Sequence, residues 1–442
     1  MELPKEFIVR TKDIIQSEFR SFTQALDAEP PVSIRVNNKI PLKPSSEQVA
    51  WCKFGYYLNK RPLFTADPLF HAGAYYVQEA SSMFLQQALE QLVSKDSTIL
   101  DLSAAPGGKS TLISQFLAEN GFLVANEIIR SRAHILTENM IKWGNDNVFV
   151  SNNAPSDFKN LPGFFDVIVV DAPCSGEGMF RKDKDAVNEW NVQNVMMCAT
   201  RQKDILTDVW DSLKTDGLLV YSTCTYNHDE NEENVKWFEN NLGAEFLPLN
   251  TDEFPQITAS DKGYRFYPHK TQGEGFFLAV LKKTATTHSF RKQKSNKQKN
   301  TINSEIIELR NQLLEPENWV ILQENNTISA VRKTHSNKIE ILNKILLPMH
   351  FGITLAKQKG KDFIPHISLA LSKNLNRKKV NSVEIDRNTA IKYLRKESIF
   401  LPNSEKGFLL LTYKNTPIGW VKNLGKRSNN LYPNEWKIRM RF

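Results

Sequence analysis

The stretch that decides the fold is Leu100-Asp101-Leu102-Ser103-Ala104-Ala105-Pro106-Gly107-Gly108-Lys109-Ser110. An apolar run at 98–102, typical of a buried strand, leads into a turn of small residues and then into a helical pattern at 109–117. Glycine in such a turn lets the backbone approach a ligand closely at the amino end of the helix. The stretch therefore predicts a strand, a ligand-binding loop and a helix.

Alternation of strands and helices continues beyond this loop. Strands are predicted at 98–102, 122–127, 147–151, 165–171, 217–222 and 275–281, and helices at 109–117, 131–143, 201–213 and 229–240. Such alternation favours a parallel sheet with helices on both faces. The sequence predicts an α/β fold with a doubly wound, Rossmann-like sheet.

An acidic residue ends the second predicted strand. Glu127 follows the glycines by about 20 residues, where a carboxylate can accept hydrogen bonds from two ribose hydroxyls. The loop and this acid suit S-adenosylmethionine or a dinucleotide. A nucleotide triphosphatase is the rival interpretation, because Gly108-Lys109-Ser110 ends like a phosphate loop. However, Ser103 stands where that motif requires glycine.

Composition and periodicity divide the chain into five segments. They are a small α+β lead-in (1–75), the Rossmann-like domain (76–283), a basic linker (284–303), a small α+β domain (304–375) and a C-terminal domain (376–442). The first segment is predicted to contain a helix over 6–26 and a strand over 32–37. The last contains a hairpin pattern at 407–413 and 417–422.

Charge is distributed unevenly along the chain. Residues 284–442 contain 29 lysines and arginines against 12 aspartates and glutamates, whereas residues 1–283 contain 28 against 37. This asymmetry indicates that the second half binds a polyanion, for which nucleic acid is the candidate. A Lys-rich surface that only aids solubility is the alternative.

Two cysteines each follow a predicted buried strand. They lie within Asp171-Ala172-Pro173-Cys174-Ser175-Gly176-Glu177-Gly178 and Tyr221-Ser222-Thr223-Cys224-Thr225-Tyr226. A thiolate is the one common side-chain nucleophile strong enough to attack an unactivated pyrimidine ring. The other two, Cys52 and Cys198, are predicted to be packing residues. Neither the cysteines nor the eight histidines have metal-ligand spacing, so we expect no metal site.

These motifs resemble those of the RNA cytosine-C5 methyltransferases. The resemblance rests on the loop at 100–110, Asp-Ala-Pro-Cys at 171–174 and Thr-Cys at 223–224, and it covers 76–283. The ending at 430–437 resembles the PUA-like RNA-binding domain of the bacterial 16S ribosomal RNA enzymes of the F type. The resemblance implies S-adenosylmethionine as the cofactor and 16S ribosomal RNA of the small subunit as the substrate. It also implies that the lead-in at 1–75 binds RNA.

The resemblance also implies roles for particular residues around the cofactor. The loop residues that wrap the methionine part are Ala104, Ala105, Pro106, Gly107, Gly108 and Lys109. Glu127 holds the ribose, Arg132 lies close by, and Asp171 lies near the sulfonium. Asn153 stands where the family usually has an aspartate beside the adenine, and an asparagine can both accept and donate there.

Methylation of cytosine at C5 requires a nucleophilic catalyst, because C5 attacks a methyl group only after a thiolate has added to C6. A proton or hydrogen bond at N3 makes the addition easier, and Asp171 is placed to assist. The resemblance implies that Cys224 is the nucleophile, that Cys174 assists elimination from C6 and that Lys109 hydrogen-bonds near Asp171. DNA enzymes attack with the cysteine of Pro-Cys, which would be Cys174. The presence of Cys224 favours RNA, with a flipped or single-stranded target base.

Several alternatives stay open at the level of sequence. The substrate could instead be transfer RNA, or the chain could be a non-catalytic ribosome assembly factor, although an intact set of catalytic residues argues against the latter. Gln78 belongs to a family-like segment beside the active site or caps a helix. Arg181 holds RNA phosphate or is a solvated loop charge.

The expected location is the cytoplasm. No apolar run reaches the roughly 18 residues that a membrane span needs, and residues 1–6 are not typical of a signal peptide. Nothing in the sequence requires a dimer, so we expect a monomer.

Overall fold

A computed structural model of the chain describes residues 2–287 and 304–440. Most of the predicted basic linker, residues 288–303, lies outside the described residues. No helix within the described ranges is long and apolar enough to cross a membrane.

The N-terminal segment is a small α+β unit, as predicted. Its elements are α1 (Lys5–Ile15), α2 (Phe19–Asp27), β1 (Val32–Val36), β2 (Gly55–Leu58), α3 (Pro68–His71) and β3 (Tyr75–Val77). The strands form an antiparallel sheet of order β2-β1-β3. The prediction of one continuous helix over 6–26 is wrong, because Gln16 has a φ of +49° and ends α1.

The central segment alternates strands and helices. Its elements are α4 (Leu85–Leu92), β4 (Thr98–Asp101), α5 (Gly108–Phe116), β5 (Phe122–Asn126), α6 (Arg130–Trp143), β6 (Val148–Ser151), β7 (Phe165–Asp171), α7 (Lys184–Glu189), α8 (Val192–Val209), β8 (Leu213–Thr223), α9 (Glu232–Leu242), β9 (Ala244–Phe246), β10 (Thr258–Ser260), β11 (Gly263–Phe266) and β12 (Phe276–Lys283). The helix predicted at 201–213 begins earlier, because the Asn191 side chain accepts a hydrogen bond from the Asn194 amide and caps α8.

The central sheet has the predicted doubly wound order. Strands β6-β5-β4-β7-β8 run parallel, and β12, β11 and β10 continue the sheet in antiparallel fashion. The chain reverses its direction of winding between β4 and β7. Ligands of such sheets bind outside the carboxyl ends of the strands at this switch point.

The C-terminal segments contain two further four-stranded sheets. Their elements are α10 (Ser304–Arg310), β13 (Trp319–Glu324), β14 (Thr327–Arg332), α11 (Lys333–Ile345), β15 (Pro348–Phe351), β16 (Ile353–Lys359), β17 (Asp362–Pro365), α12 (Ile367–Leu371), β18 (Ser382–Glu384), α13 (Arg387–Leu394), β19 (Gly407–Tyr413), β20 (Thr416–Asn423) and β21 (Ser428–Asn430). The sheet orders are β13-β14-β16-β17 and β18-β19-β20-β21, and β19 and β20 form the predicted hairpin.

The C-terminal segments are built into the rest of the molecule. Strand β15 pairs antiparallel with β6 and extends the central sheet. Buried side chains from both sides of the predicted boundary at 375/376 share one core, for example Leu369 with Tyr393, Leu410 and Trp420. The Trp420 indole also donates to the carbonyl of His366 at 2.9 Å. The division at 375/376 stays a prediction, and the packing there is continuous.

Candidate active site

The end of β4 presents a buried carboxylate to the loop. The Ser110 hydroxyl donates to Oδ2 of Asp101 at 2.6 Å, while Oδ1 is buried and has no hydrogen-bond partner among the described residues. Burial raises the pKa of Asp101 to about 7, and Asp171 and Glu127 add to this effect against the opposing hydrogen bond and Lys109. No role was predicted for Asp101 from the sequence, although an acid that ends the first strand was a signal for one.

The loop at 102–107, which follows β4, is fixed by the conformation of its last glycine and by hydrogen bonds from α6. Gly107 has a φ of +116° and ends the loop at the start of α5, which requires glycine. Arg132 donates to the carbonyl of Ala105, and Asn139 donates to the carbonyl of Pro106, each at 2.8 Å. These hydrogen bonds from α6 fix the backbone of the loop at the carboxyl ends of the strands.

Glu127 lies directly after β5 beside the same loop. Its side chain is buried, and its Oε1 accepts from the amide of Ile129 at 2.9 Å. The guanidinium of Arg132 lies 3.6 Å from Oε2. The structure thus brings Glu127, Arg132 and the loop together, as the sequence analysis expected.

Asn153 has a structural task that the sequence did not indicate. Its Nδ2 donates to Asp157 at 2.8 Å, and its Oδ1 accepts from the amide of Leu347 at 2.9 Å. The side chain therefore ties the segment before β15 to the central sheet. A contact of Asn153 with adenine stays a prediction, and these two hydrogen bonds compete with it.

The two thiols of the predicted site lie next to each other. Cys174 follows β7 and Cys224 follows β8, and their Sγ atoms are 3.2 Å apart. The amide of Cys224 also donates to Sγ of Cys174 at 3.3 Å. The hydrogen bond to Cys224, together with burial, raises the pKa of Cys174 well above its usual range.

An ion pair flanks the thiols. Nζ of Lys109 lies 2.8 Å from Oδ2 of Asp171, and the Ser222 hydroxyl donates to Oδ1 at 2.8 Å. Burial disfavours the lysine cation, but Asp171, Asp101 and Cys224 outweigh it and raise the pKa of Lys109. The ammonium is therefore held charged beside the reactive sulfurs, where it favours an anionic thiolate.

Two buried glutamates hold the loops that carry the thiols. Glu177 accepts hydrogen bonds from the Thr225 hydroxyl at 2.6 Å and from the amides of Tyr226 and Asn227 at 2.7 and 3.0 Å. This carboxylate organises the loop after Cys224. Glu177 lies within the motif at 171–178, but no role was predicted for it from the sequence.

Glu230 acts in the same way on the loop after Cys174. It accepts from the amide of Ser175 at 3.0 Å, and from the side chains of Gln202 and Asn227 at 2.8 Å each. Burial raises the pKa of Glu230. No motif in the sequence pointed to it, because its partners come from three separate elements.

Both expectations for Arg181 are wrong. Its guanidinium is buried, lies 2.9 Å from the Glu274 carboxylate and donates to the carbonyls of Gly273 and Ala25 at 2.6 and 3.2 Å. Arg181 therefore joins the N-terminal helices to the central domain.

Gln78 does not cap the turn that follows it. The backbone amides of Ser81 and Ser82 donate to the carboxylate of Glu79, which therefore caps this turn. The side-chain oxygen of Gln78 instead accepts a hydrogen bond from the buried guanidinium of Arg35 at 2.8 Å.

Most of the predicted site converges on one edge of the sheet. The residues that lie together there are Ala104, Ala105, Pro106, Gly107, Gly108, Lys109, Glu127, Arg132, Asp171, Cys174 and Cys224. Within residues 2–287 and 304–440, no group of three or more histidines, cysteines and acids could hold a metal ion.

A Rossmann-like sheet that carries this loop at its switch point and a thiol pair after two adjacent strands defines an RNA methyltransferase. Three family models match the chain: 16S rRNA methyltransferase RsmB/F over residues 88–282, the N-terminal domain of 16S rRNA methyltransferase RsmF over 3–80, and the methyltransferase RsmF PUA domain over 380–438. The chain belongs to the ribosomal RNA small subunit methyltransferase F family.

Individual relatives support this assignment. The ribosomal RNA small subunit methyltransferase F of Vibrio vulnificus strain YJ016 is 30% identical over 98% of this chain and 97% of its own length. That of Vibrio atlanticus is 35% identical over 64% of each chain. A solved methyltransferase homolog from Pyrococcus horikoshii is 27% identical, covers 63% of this chain and 95% of its own, and superposes with a TM-score of 0.54.

Proposed function

We propose that this chain methylates C5 of a cytosine in 16S ribosomal RNA, with S-adenosylmethionine as the methyl donor. The observation that carries the proposal is the Cys174–Cys224 pair at 3.2 Å beside the Lys109–Asp171 ion pair. The relatives are named for the small-subunit ribosomal RNA, which disfavours transfer RNA as the substrate. Action on ribosomal RNA also makes the cytoplasm the proposed location.

The loop fits S-adenosylmethionine, which supplies a methyl group on a sulfonium. Oδ1 of Asp101 is a buried acceptor without a partner among the described residues, and it suits the ammonium of the methionine part. The amino end of α5 suits the methionine carboxylate. In this proposal the Glu127 carboxylate accepts hydrogen bonds from the ribose hydroxyls. Residues 104–109 and Arg132 enclose the cofactor in this proposal, and Asn153 lies toward the adenine.

Different residues of the chain then act in successive steps on the cytosine base. The Cys224 thiolate adds to C6, and the electron pair of the ring double bond makes C5 nucleophilic. As negative charge develops at N3, the Asp171–Lys109 pair supplies the proton or hydrogen bond that neutralises it. After methyl transfer, the C5 proton is lost to solvent, the electron pair of the C5–H bond re-forms the ring double bond, and the C6–Sγ bond breaks to release Cys224 as a thiolate. Cys174 assists this elimination.

Methyl transfer tests the proposal directly. Pure protein is supplied with labelled S-adenosylmethionine and with small ribosomal subunits, naked 16S RNA or bulk transfer RNA. We expect 5-methylcytidine in ribosomal RNA, abolished by Cys224→Ala and retained in the matched Cys198→Ala variant. Label in transfer RNA alone would overturn the substrate, and label that survives Cys224→Ala would overturn the nucleophile.

A further inference from the structure

A basic groove lies between the N-terminal and C-terminal segments. It has a volume of about 670 Å³ and is walled by the loop after β1, the segment after α12 and the turn between β19 and β20. Four cations from three segments line it: Lys39, Lys373, Arg377 and Lys414. None of its described lining residues carries a carboxylate.

The four cations are held by neutral groups. The ammonium of Lys39 donates to the carbonyls of Lys142 and Leu371 at 2.5 and 3.2 Å, and that of Lys373 donates to Oδ1 of Asn38 at 2.7 Å. By contrast, Arg332 on nearby β14 forms ion pairs with two carboxylates. Burial lowers the pKa of Lys39 well below its usual range and that of Lys373 to about 8. The positive charge that the groove offers to a ligand therefore lies mainly on Arg377 and Lys414 at its outer wall.

The outer wall repeats this arrangement. The guanidinium of Arg377 donates to the carbonyl and to Oδ1 of Asn415, each at 2.9 Å. Lys414 is exposed in the same turn, and among the described residues neither side chain forms an ion pair. The Glu384 carboxylate contacts this turn through the amide of Asn415, at 3.3 Å. The bonds from Arg377 to Asn415 fix the direction of the guanidinium without neutralising it. Like charges gathered in one groove repel each other, and a bound polyanion removes that cost.

We propose that this groove binds the phosphodiester backbone of the RNA substrate at a distance from the target base. Lys39 contacts the carboxyl end of α6 at Lys142, whereas Arg132 near the start of the same helix contacts the cofactor loop. A helix of 14 residues spans about 20 Å, so the groove and the site lie at opposite ends of α6. The groove thus positions RNA that flanks the target and contributes no group to the chemistry.

The inference rests on the proposed RNA substrate, and a salt titration tests it separately. Binding of naked 16S RNA is measured between 50 and 200 mM salt for the full chain, for Arg377→Gln with Lys414→Gln, and for the control Lys236→Gln with Lys344→Gln. Both control lysines are exposed and already paired with carboxylates. Each lost phosphate contact lowers the slope of log K against log salt by about 0.7 to 0.9.

We expect the groove variant to bind RNA more weakly than the control and to lose about 1.4 to 1.8 from this slope. In methyl transfer its KM should rise while kcat is unchanged. Equal slopes for the two variants would overturn the proposal. Weaker binding to assembled subunits with unchanged binding to naked RNA would also overturn it, in favour of an acidic protein partner. If the unmodified chain binds RNA through the groove but transfers no methyl group, the proposed function fails and the groove assignment stands.

Discussion

Cys174 and Cys224 have the same side chain, but their surroundings separate their tasks. The hydrogen bond to Cys224 and burial raise the pKa of Cys174, while the Lys109 ammonium lies within electrostatic reach of Cys224. We predict that Cys174→Ala accumulates a protein–RNA adduct on denaturing gels, because addition proceeds and elimination does not. Cys224→Ala should form no adduct. The reverse pattern would assign the nucleophile to Cys174, as in DNA enzymes.

In the proposed mechanism, Lys109 and Asp171 together supply the proton or hydrogen bond that the addition step requires. We predict that Lys109→Met lowers kcat by about 10²- to 10⁴-fold, the usual contribution of a positioned proton donor. Binding of RNA should change little, because the ammonium is largely buried against Asp171. Single-turnover methyl transfer and RNA binding are measured in parallel. Equal losses in both would mean that Lys109 holds the substrate and does not act on the base.

Asp101 gives a pH dependence with a definite sign. Its pKa rises from an ordinary value near 4 in the unfolded chain to about 7 in the native protein, so the native state binds the extra proton between these values. The free energy of unfolding should therefore fall from about pH 4 to pH 7 on account of this group. Asp101→Asn should remove that contribution, as denaturant titrations at several pH values would measure. An identical pH profile in the variant would refute the assignment.

At the scale of elements, the close approach of two loops places Cys224. A Cβ on Gly178 would lie 2.5 Å from the carbonyl oxygen of Gly275 and 2.9 Å from that of Cys224, and backbone atoms cannot move away cheaply. We predict that Gly178→Ala lowers the free energy of unfolding by about 1–3 kcal/mol and reduces methyl transfer.

Gly176→Ala is the matched control for that variant. Gly176 has a φ of +73°, but no atom lies within 4 Å of the Cβ that an alanine would add there. Gly176→Ala should therefore lower the free energy of unfolding by about 1–2 kcal/mol through backbone strain alone, without displacing Cys224. Thermal denaturation and kcat are measured for both. Equal loss of activity in the two variants would show that the contact with the Cys224 loop is unimportant.

The sequence predicted the central sheet, and it assigned most of the candidate site residues to the strand ends at which the structure brings them together, because both depend on local patterns. Strand β7 was predicted over its full observed range, and a loop with a glycine at φ +116° leaves a visible small-residue signature. The buried partners of the loops were missed because they are distant in sequence. Glu230 is joined to Ser175 across 55 residues, and Arg181 to the Gly273 carbonyl across 92. Such pairings become apparent only after the chain has folded.

At the scale of the whole molecule, the shared C-terminal core changes how RNA binding can be tested. Removing 376–442 would expose Leu369 and Ile367, which pack against Trp420 and its neighbours, at a cost of about 2 kcal/mol for each large side chain. We predict that this truncation lowers the thermal midpoint of the chain and weakens cofactor and RNA binding together. Point variants at Arg377 and Lys414 should leave the midpoint unchanged, because both side chains are exposed. A truncated chain that keeps the midpoint and binds S-adenosylmethionine normally would show that the last segment folds independently, and truncation would then isolate its contribution to RNA binding.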